Sequence, residues 1–236
     1  MVVNYTYLYR KSLEPYQKTL LSYSILKSKE FAKVHFHCNK EFLPILEEVG
    51  KVDKVFLIEE NPNINYKTFW AASKIEVYNK CPIGQIHLDI DAVIKDHEYF
   101  NEDVVVAYYD KTDPKPTVFE LPTNYTLPSF ITPDTDGFNM SYVLFNIKEL
   151  KDLYCKLSLE YILNNNIEDN TWKSMVFAEQ AFLTQIVYNE GYSYKYFANS
   201  DNYYHLGAAK HYLNEEDKTS LINKLENKIY GDKIFC

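Results

Sequence analysis

Between Val2 and Ile94 the chain alternates four short apolar runs with three helical stretches, an order few architectures can satisfy. Val2–Tyr9, Val34–Cys38, Val52–Ile58 and Ile86–Ile94 read as strands rich in Val, Ile, Phe and Tyr. Pro15–Glu30, Lys40–Glu48 and Tyr66–Asn79 read as the helices between them, the last stopped by Pro82. Parallel neighbours need a crossover helix, so β-α-β-α-β-α-β specifies an α/β fold: a mostly parallel sheet flanked by helices. Such sheets collect their ligands at the carboxyl ends of the strands.

The second half is looser. Val104–Tyr109 reads as a strand. Asp110–Asp136 then holds Pro114, Pro116, Pro122, Pro128 and Pro133, five of the nine prolines, and reads as a loop-rich insertion. Loops of that length in compact domains are usually functional, often as lids or substrate-binding walls. Phe138–Asn146 returns as a strand, followed by helices over Lys148–Asn164 and Ser174–Glu190 and a strand over Tyr192–Phe197. The C-terminal helix, Glu215–Tyr230, carries Leu221, Ile222, Leu225 and Ile229 on one side. At 236 residues and 46% apolar content, residues 1–236 are expected to form a single domain with a full core.

Charge and cysteine usage narrow the functional classes. Net charge is −8 and no Lys/Arg block exceeds two residues, which excludes a general nucleic-acid binder. Met1-Val2-Val3-Asn4-Tyr5 offers no basic segment before an apolar core, so no signal peptide is expected, and no window approaches the ~18 apolar residues of a membrane span. Cys38, Cys81, Cys155 and Cys236 form no Cys-x-x-Cys pair, and a cytoplasmic location is expected.

The chemistry is concentrated in Ile86-His87-Leu88-Asp89-Ile90-Asp91-Ala92-Val93-Ile94. Strand alternation would put His87, Asp89 and Asp91 on one face. Two carboxylates near 6 Å repel by about 3 kcal/mol at an effective dielectric of about 20, which a hard divalent cation relieves. Four further elements carry candidate residues. Lys74 is the cation of an otherwise packed helical stretch, within reach of a phosphate. Asp136-Gly137-Phe138-Asn139 is a turn entering a strand, where the Asn139 amide suits a sugar hydroxyl. Glu179-Gln180 puts a carboxylate and an amide on a helix. Tyr204-His205-Leu206-Gly207-Ala208-Ala209-Lys210 gathers an imidazole, a glycine and a lysine in one short loop, fitting a metal and a diphosphate. His35 and His37 share a strand face with no other ligand implied.

Taken in order, these elements resemble the nucleotide-sugar glycosyltransferases of the GT-A (Rossmann-like) fold, most similar to glycosyltransferase family 8. The family's lysine-bearing helix and Asp-x-Asp strand correspond to Lys74, then Asp89 and Asp91. Its Phe-Asn-(small)-Gly strand corresponds to Phe138-Asn139-Met140-Ser141, with serine in place of the glycine. Its Asp-Gln corresponds to Glu179-Gln180. Its His-x-x-Gly-x-x-Lys-Pro-Trp corresponds to His205, Gly207 and Lys210, one residue shorter and without Pro-Trp.

The resemblance implies Mn2+ (or Mg2+) held by Asp89, Asp91 and His205. It implies a UDP-sugar donor bound by Lys74, Asp89, Asp136, Asn139, Gly207 and Lys210, and Gln180 and Glu179 as the catalytic pair. The sugar would pass to a glycan or glycoconjugate acceptor with retention, residues 1–109 serving the nucleotide-sugar and 110–236 the acceptor. Three other readings stay open. Asp89-Ile90-Asp91-Ala92-Val93 also fits the first motif of haloacid-dehalogenase-type phosphatases, with Asp89 as nucleophile, although that motif normally sits on the first strand. A nucleotidyltransferase would need a glycine in the first loop, and Val2–Lys11 has none. A non-catalytic sugar or nucleotide-sugar binding protein of the same fold is the third.

Overall fold

The computed structural model describes residues 1–8, 12–110, 126–132, 137–165, 172–198, 202–207 and 212–231. Most of the Asp110–Asp136 insertion, together with Asp136 and Lys210, lies outside them. The strands are β1 (Val2–Tyr7), β2 (Lys33–Cys38), β3 (Lys54–Leu57), β4 (Ile86–Leu88), β5 (Ala92–Ile94), β6 (Val104–Asp110), β7 (Gly137–Phe145), β8 (Tyr194–Tyr196) and β9 (Tyr203–His205). The helices are α1 (Pro15–Lys29), α2 (Leu43–Val49), α3 (Ala72–Lys80), α4 (Lys148–Asn164), α5 (Trp172–Val176), α6 (Phe182–Glu190) and α7 (Glu215–Gly231). A seven-stranded sheet in the order β3-β2-β1-β4-β7-β6-β8 is flanked by helices, as expected of an α/β fold, and β5 and β9 form a separate two-stranded ribbon. Pairing is parallel at β1–β2, β2–β3 and β6–β8 and antiparallel at β6–β7.

The chain divides into two compact units, each drawing on residues from both sides of position 109. Met1–Ile58, His87–Tyr99 and Ala198–Cys236 make the first. There α1 starts at Pro15, whose fixed φ suits the first turn, behind a capping box between Glu14 and Gln17. Tyr16, Leu20 and Tyr23 of α1 pack in one buried cluster with Val93, Leu206 and Leu225, and Leu221, Ile222 and Ile229 of α7 close over it. The apolar stripe expected on the C-terminal helix is therefore used against α1. Lys218 of α7 binds Glu14 at 2.8 Å and stands over the Tyr16 ring, fixing the same contact at its polar rim.

Glu59–Ile86 and Phe100–Phe197 make the second unit. All nine residues of β7 are buried, and β6 pairs with it through an irregularity between Val106 and Tyr108. Tyr78, Phe145 and Tyr154 form one aromatic group, and Tyr161, Phe177 and Phe182 another. Helix α4 has the limits that its sequence predicts.

Two stretches differ from the sequence reading. Ile86–Ile94 is not one strand. It is β4, a turn at Asp89–Asp91, and β5 in a different sheet. Ile86, His87 and Leu88 are all buried because β4 is the middle strand of the seven, so its two faces do not alternate. The predicted helix over Tyr66–Asn79 is regular only from Ala72. Leu20 is fully buried at the centre of its cluster. Leu20→Ala is expected to lower unfolding free energy by about 2–5 kcal/mol with an unchanged m-value in urea. A loss below about 1 kcal/mol would show that the α1–α7 cluster carries little of the fold's stability.

Candidate active site

Asp89, Asp91 and His205 converge within the first unit. Each offers one ligand atom, and the three atoms lie within 4.8 Å of one another. A turn and a ribbon, rather than strand alternation, bring them together. The Ala92 amide donates to the Asp89 carbonyl at 3.1 Å and closes the turn that carries both aspartates. The Leu206 amide donates to the Asp91 carbonyl at 3.1 Å, and β5 and β9 pair with Ala92 opposite His205. Nε2 of His205 lies 3.4 Å from Oδ1 of Asp91, and both side chains are over nine-tenths buried. Burial, and secondarily the Asp91 charge, push the phenol of Tyr204 above its ordinary value.

Gly207 completes this arrangement. Its φ is +50°, in the left-handed region, and a Cβ there would stand 3.0 Å from Cε1 and 3.2 Å from Nδ1 of His205. The glycine thus lets the chain turn directly against the imidazole. Two carboxylates and an imidazole in this spacing suit a hard or borderline divalent cation such as Mg2+ or Mn2+.

Lys74, Asn139, Glu179 and Gln180 belong to the second unit. Nζ of Lys74 donates to Oε1 of Glu179 at 2.5 Å and to the Met140 carbonyl at 3.4 Å. Glu179 is buried and not on a helix surface. It sits in a π-helical turn, Phe177–Ala181, between α5 and α6. Such turns leave carbonyls without their usual α-helical donors. Here Tyr154 donates to the Glu179 carbonyl at 2.9 Å, and Thr184 donates to the Gln180 carbonyl at 2.8 Å while accepting the Phe138 amide at 2.7 Å. Burial holds the Tyr154 phenol well above its ordinary pKa, keeping its proton in place as a donor.

Gly137 is the counterpart on the strand. A Cβ there would stand 2.6 Å from Cβ of Gln180 and 3.2 Å from its carbonyl carbon, so β7 reaches the π turn only without a side chain. The expected turn at Asp136-Gly137 lies partly outside the described residues, and Gly137 opens β7 at a close approach. The side-chain Oδ1 of Asn139 accepts from the Ser141 amide at 3.0 Å and from the Ser141 hydroxyl, and its Nδ2 donates to Oδ2 of Asp110 at 3.3 Å. The serine that replaces the expected strand glycine therefore orients Asn139. His35 and His37 serve packing: His37 stacks on Phe56 at 4.7 Å and meets Asn4 at 3.1 Å.

No protein-family model matches the chain, and no curated protein is significantly similar in sequence. Among solved structures, the chain is similar to the galactosyltransferase LgtC in complex with donor and acceptor sugar analogues. The two are 13% identical with a TM-score of 0.47, over 95% of this chain and 96% of that one. An active-site mutant of LgtC is similar at 12% identity and a TM-score of 0.41, over 76% of this chain and 70% of that one.

Two outcomes follow from these contacts. Lys74→Met leaves the Glu179 carboxylate buried without that ammonium, an expected loss of roughly 2–4 kcal/mol after allowing for the partial exposure of Lys74. Lys74→Met combined with Glu179→Leu should recover most of it in urea unfolding; equal losses in both would refute the pairing argument. Gly207→Ala forces the imidazole of His205 aside and should weaken Mn2+ binding by about tenfold, read by calorimetric titration.

Proposed function

We propose that this protein is a metal-dependent glycosyltransferase of GT-A type that moves a sugar from a UDP-sugar to a glycan or other acceptor, with retention. The observation that carries the reading is the convergence of Asp89, Asp91 and His205 at the turn after β4. A fold that holds a buried carboxylate beside a half-buried one and an imidazole accepts their repulsion, and a divalent cation removes it. Mn2+ or Mg2+ held there would neutralise the diphosphate of the departing UDP. Asp89 also serves the donor, Gly207 allows close approach of the backbone, and Lys210 adds positive charge for the phosphates.

In the second unit, Gln180 and Glu179 serve the donor sugar beside its reacting carbon. Glu179 is held by Lys74, which limits it to one geometry. Asn139 and Asp136 bind sugar hydroxyls, and Lys74 completes the donor set. Residues 110–236 supply the acceptor contacts. No helix among the described residues is long and apolar enough to cross a membrane. Among the described residues Cys38, Cys81 and Cys155 are buried and outside any disulfide, and we place the enzyme in the cytoplasm.

Thermal unfolding with UDP and UDP-sugars, with and without Mn2+, tests the reading. A ligand at about 100 times its dissociation constant adds about 2.7 kcal/mol, expected as a midpoint rise of roughly 5–10 °C that requires metal and nucleotide together. Asp91→Asn should abolish the Mn2+-dependent part. A shift independent of metal, or none, would sink the proposal. Donor binding without hydrolysis or transfer would assign the protein as a binding module, and Mg2+-dependent hydrolysis of a simple phosphomonoester would favour the phosphatase reading.

A further inference from the structure

The turn that carries Asp89 and Asp91 is also held by α1. Oγ of Ser24, on α1, lies 2.5 Å from the carbonyl oxygen of Ala92, the residue directly after Asp91. Behind it the Tyr5 hydroxyl lies 2.7 Å from Ser24 and 2.8 Å from the Ser28 hydroxyl. All three side chains are completely buried.

Proton counting gives this chain one direction. A carbonyl only accepts, so the single proton of Ser24 goes to Ala92. The single proton of Tyr5 must then go to Ser24, and that of Ser28 to Tyr5. Burial pushes the Tyr5 phenol up to about 12, so it stays a donor across the physiological range. Each of Ser24 and Tyr5 thereby donates one bond and accepts one, and the Ser24 hydroxyl leaves this place only by breaking both of its bonds.

We infer that Ser24 is a positioning residue for the Asp89–Asp91–His205 cluster, its hydroxyl fixing the Ala92 carbonyl and with it the backbone from which Asp91 projects. This rests on the reading that the cluster binds a divalent cation. Ser28 provides a control. It lies one turn further along the same helix, is equally buried and shares the bond to Tyr5, whereas the bond to Ala92 belongs to Ser24.

The test is Mn2+ titration of the whole protein, followed by loss of the free-ion electron paramagnetic resonance signal, with melting curves for each variant. Ser24→Ala should weaken Mn2+ binding by about tenfold, the lower end for residues that orient ligands, whereas Ser28→Ala should stay within about twofold while melting lower. Equal affinities for the two variants would overturn the inference while leaving the metal site standing. Wild-type protein that takes up no Mn2+, or an Asp91→Asn variant that binds as well as wild type, would remove the metal reading and this inference with it. If Ser24→Ala does not melt cooperatively, Ser24→Cys keeps the side chain but weakens the donor, and the same comparison applies.

Discussion

Two carboxylates within 4.8 Å of each other repel, and the first compact unit is arranged around keeping them there. At that distance and an effective dielectric of about 20 the repulsion is of the order of 3 kcal/mol. Left on a flexible loop the aspartates would separate into water. Instead Asp91 is buried, the turn is closed by the Ala92 amide, and the Asp91 carbonyl is tied to the strand that carries His205. These restraints act on backbone, and they hold one ligand atom of each carboxylate within 4.8 Å of the other and of the imidazole.

The second unit treats its charge differently. Glu179 is neutralised within the fold by Lys74, and the π turn around it is satisfied by hydroxyls from Tyr154 and Thr184. A carboxylate already paired at 2.5 Å has less electron density to offer a developing cation than a free one. The adjacent Gln180 carries no charge to be paired off, and Gly137 lets the strand meet its backbone. This division leaves Gln180 as the uncharged neighbour of a paired carboxylate that helps hold the turn in shape.

The sequence carries the sheet well because strands and helices of this size have local signatures. Helix α4 runs over Lys148–Asn164 in both readings, and the apolar stripe of α7 is visible as Leu221, Ile222, Leu225 and Ile229. What depends on distant partners is not visible. The burial of Glu179 is hidden in the sequence because its partner Lys74 lies 105 positions away. Ser24 reads as an ordinary helical serine because Ala92 lies 68 positions away. Ile86–Ile94 imitates one alternating strand because Asp-x-Asp satisfies a period of two whether the backbone is extended or turned. Strand β9 escapes notice since three residues, Tyr203–His205, are too few to show any period.

Helix α1 connects these points. Tyr16, Leu20, Tyr23 and Ser24 are spaced to share one face, and that face meets the ribbon in two chemically distinct ways. Leu20 and the tyrosine rings share a cluster with Val93 and Leu206, which lie two residues after Asp91 and one after His205. Apolar packing is nondirectional, so it fixes how close the ribbon lies to α1 but not how it is rotated about its own axis. A hydrogen bond is directional, and the one from Ser24 to Ala92 supplies the missing rotation. Distance from the cluster, angle from the serine, and register from the ladder to β9 together determine where the aspartates stand. Each addresses a degree of freedom that the other two leave open, which is why one buried hydroxyl on a helix bears on the proposed cation site from outside it.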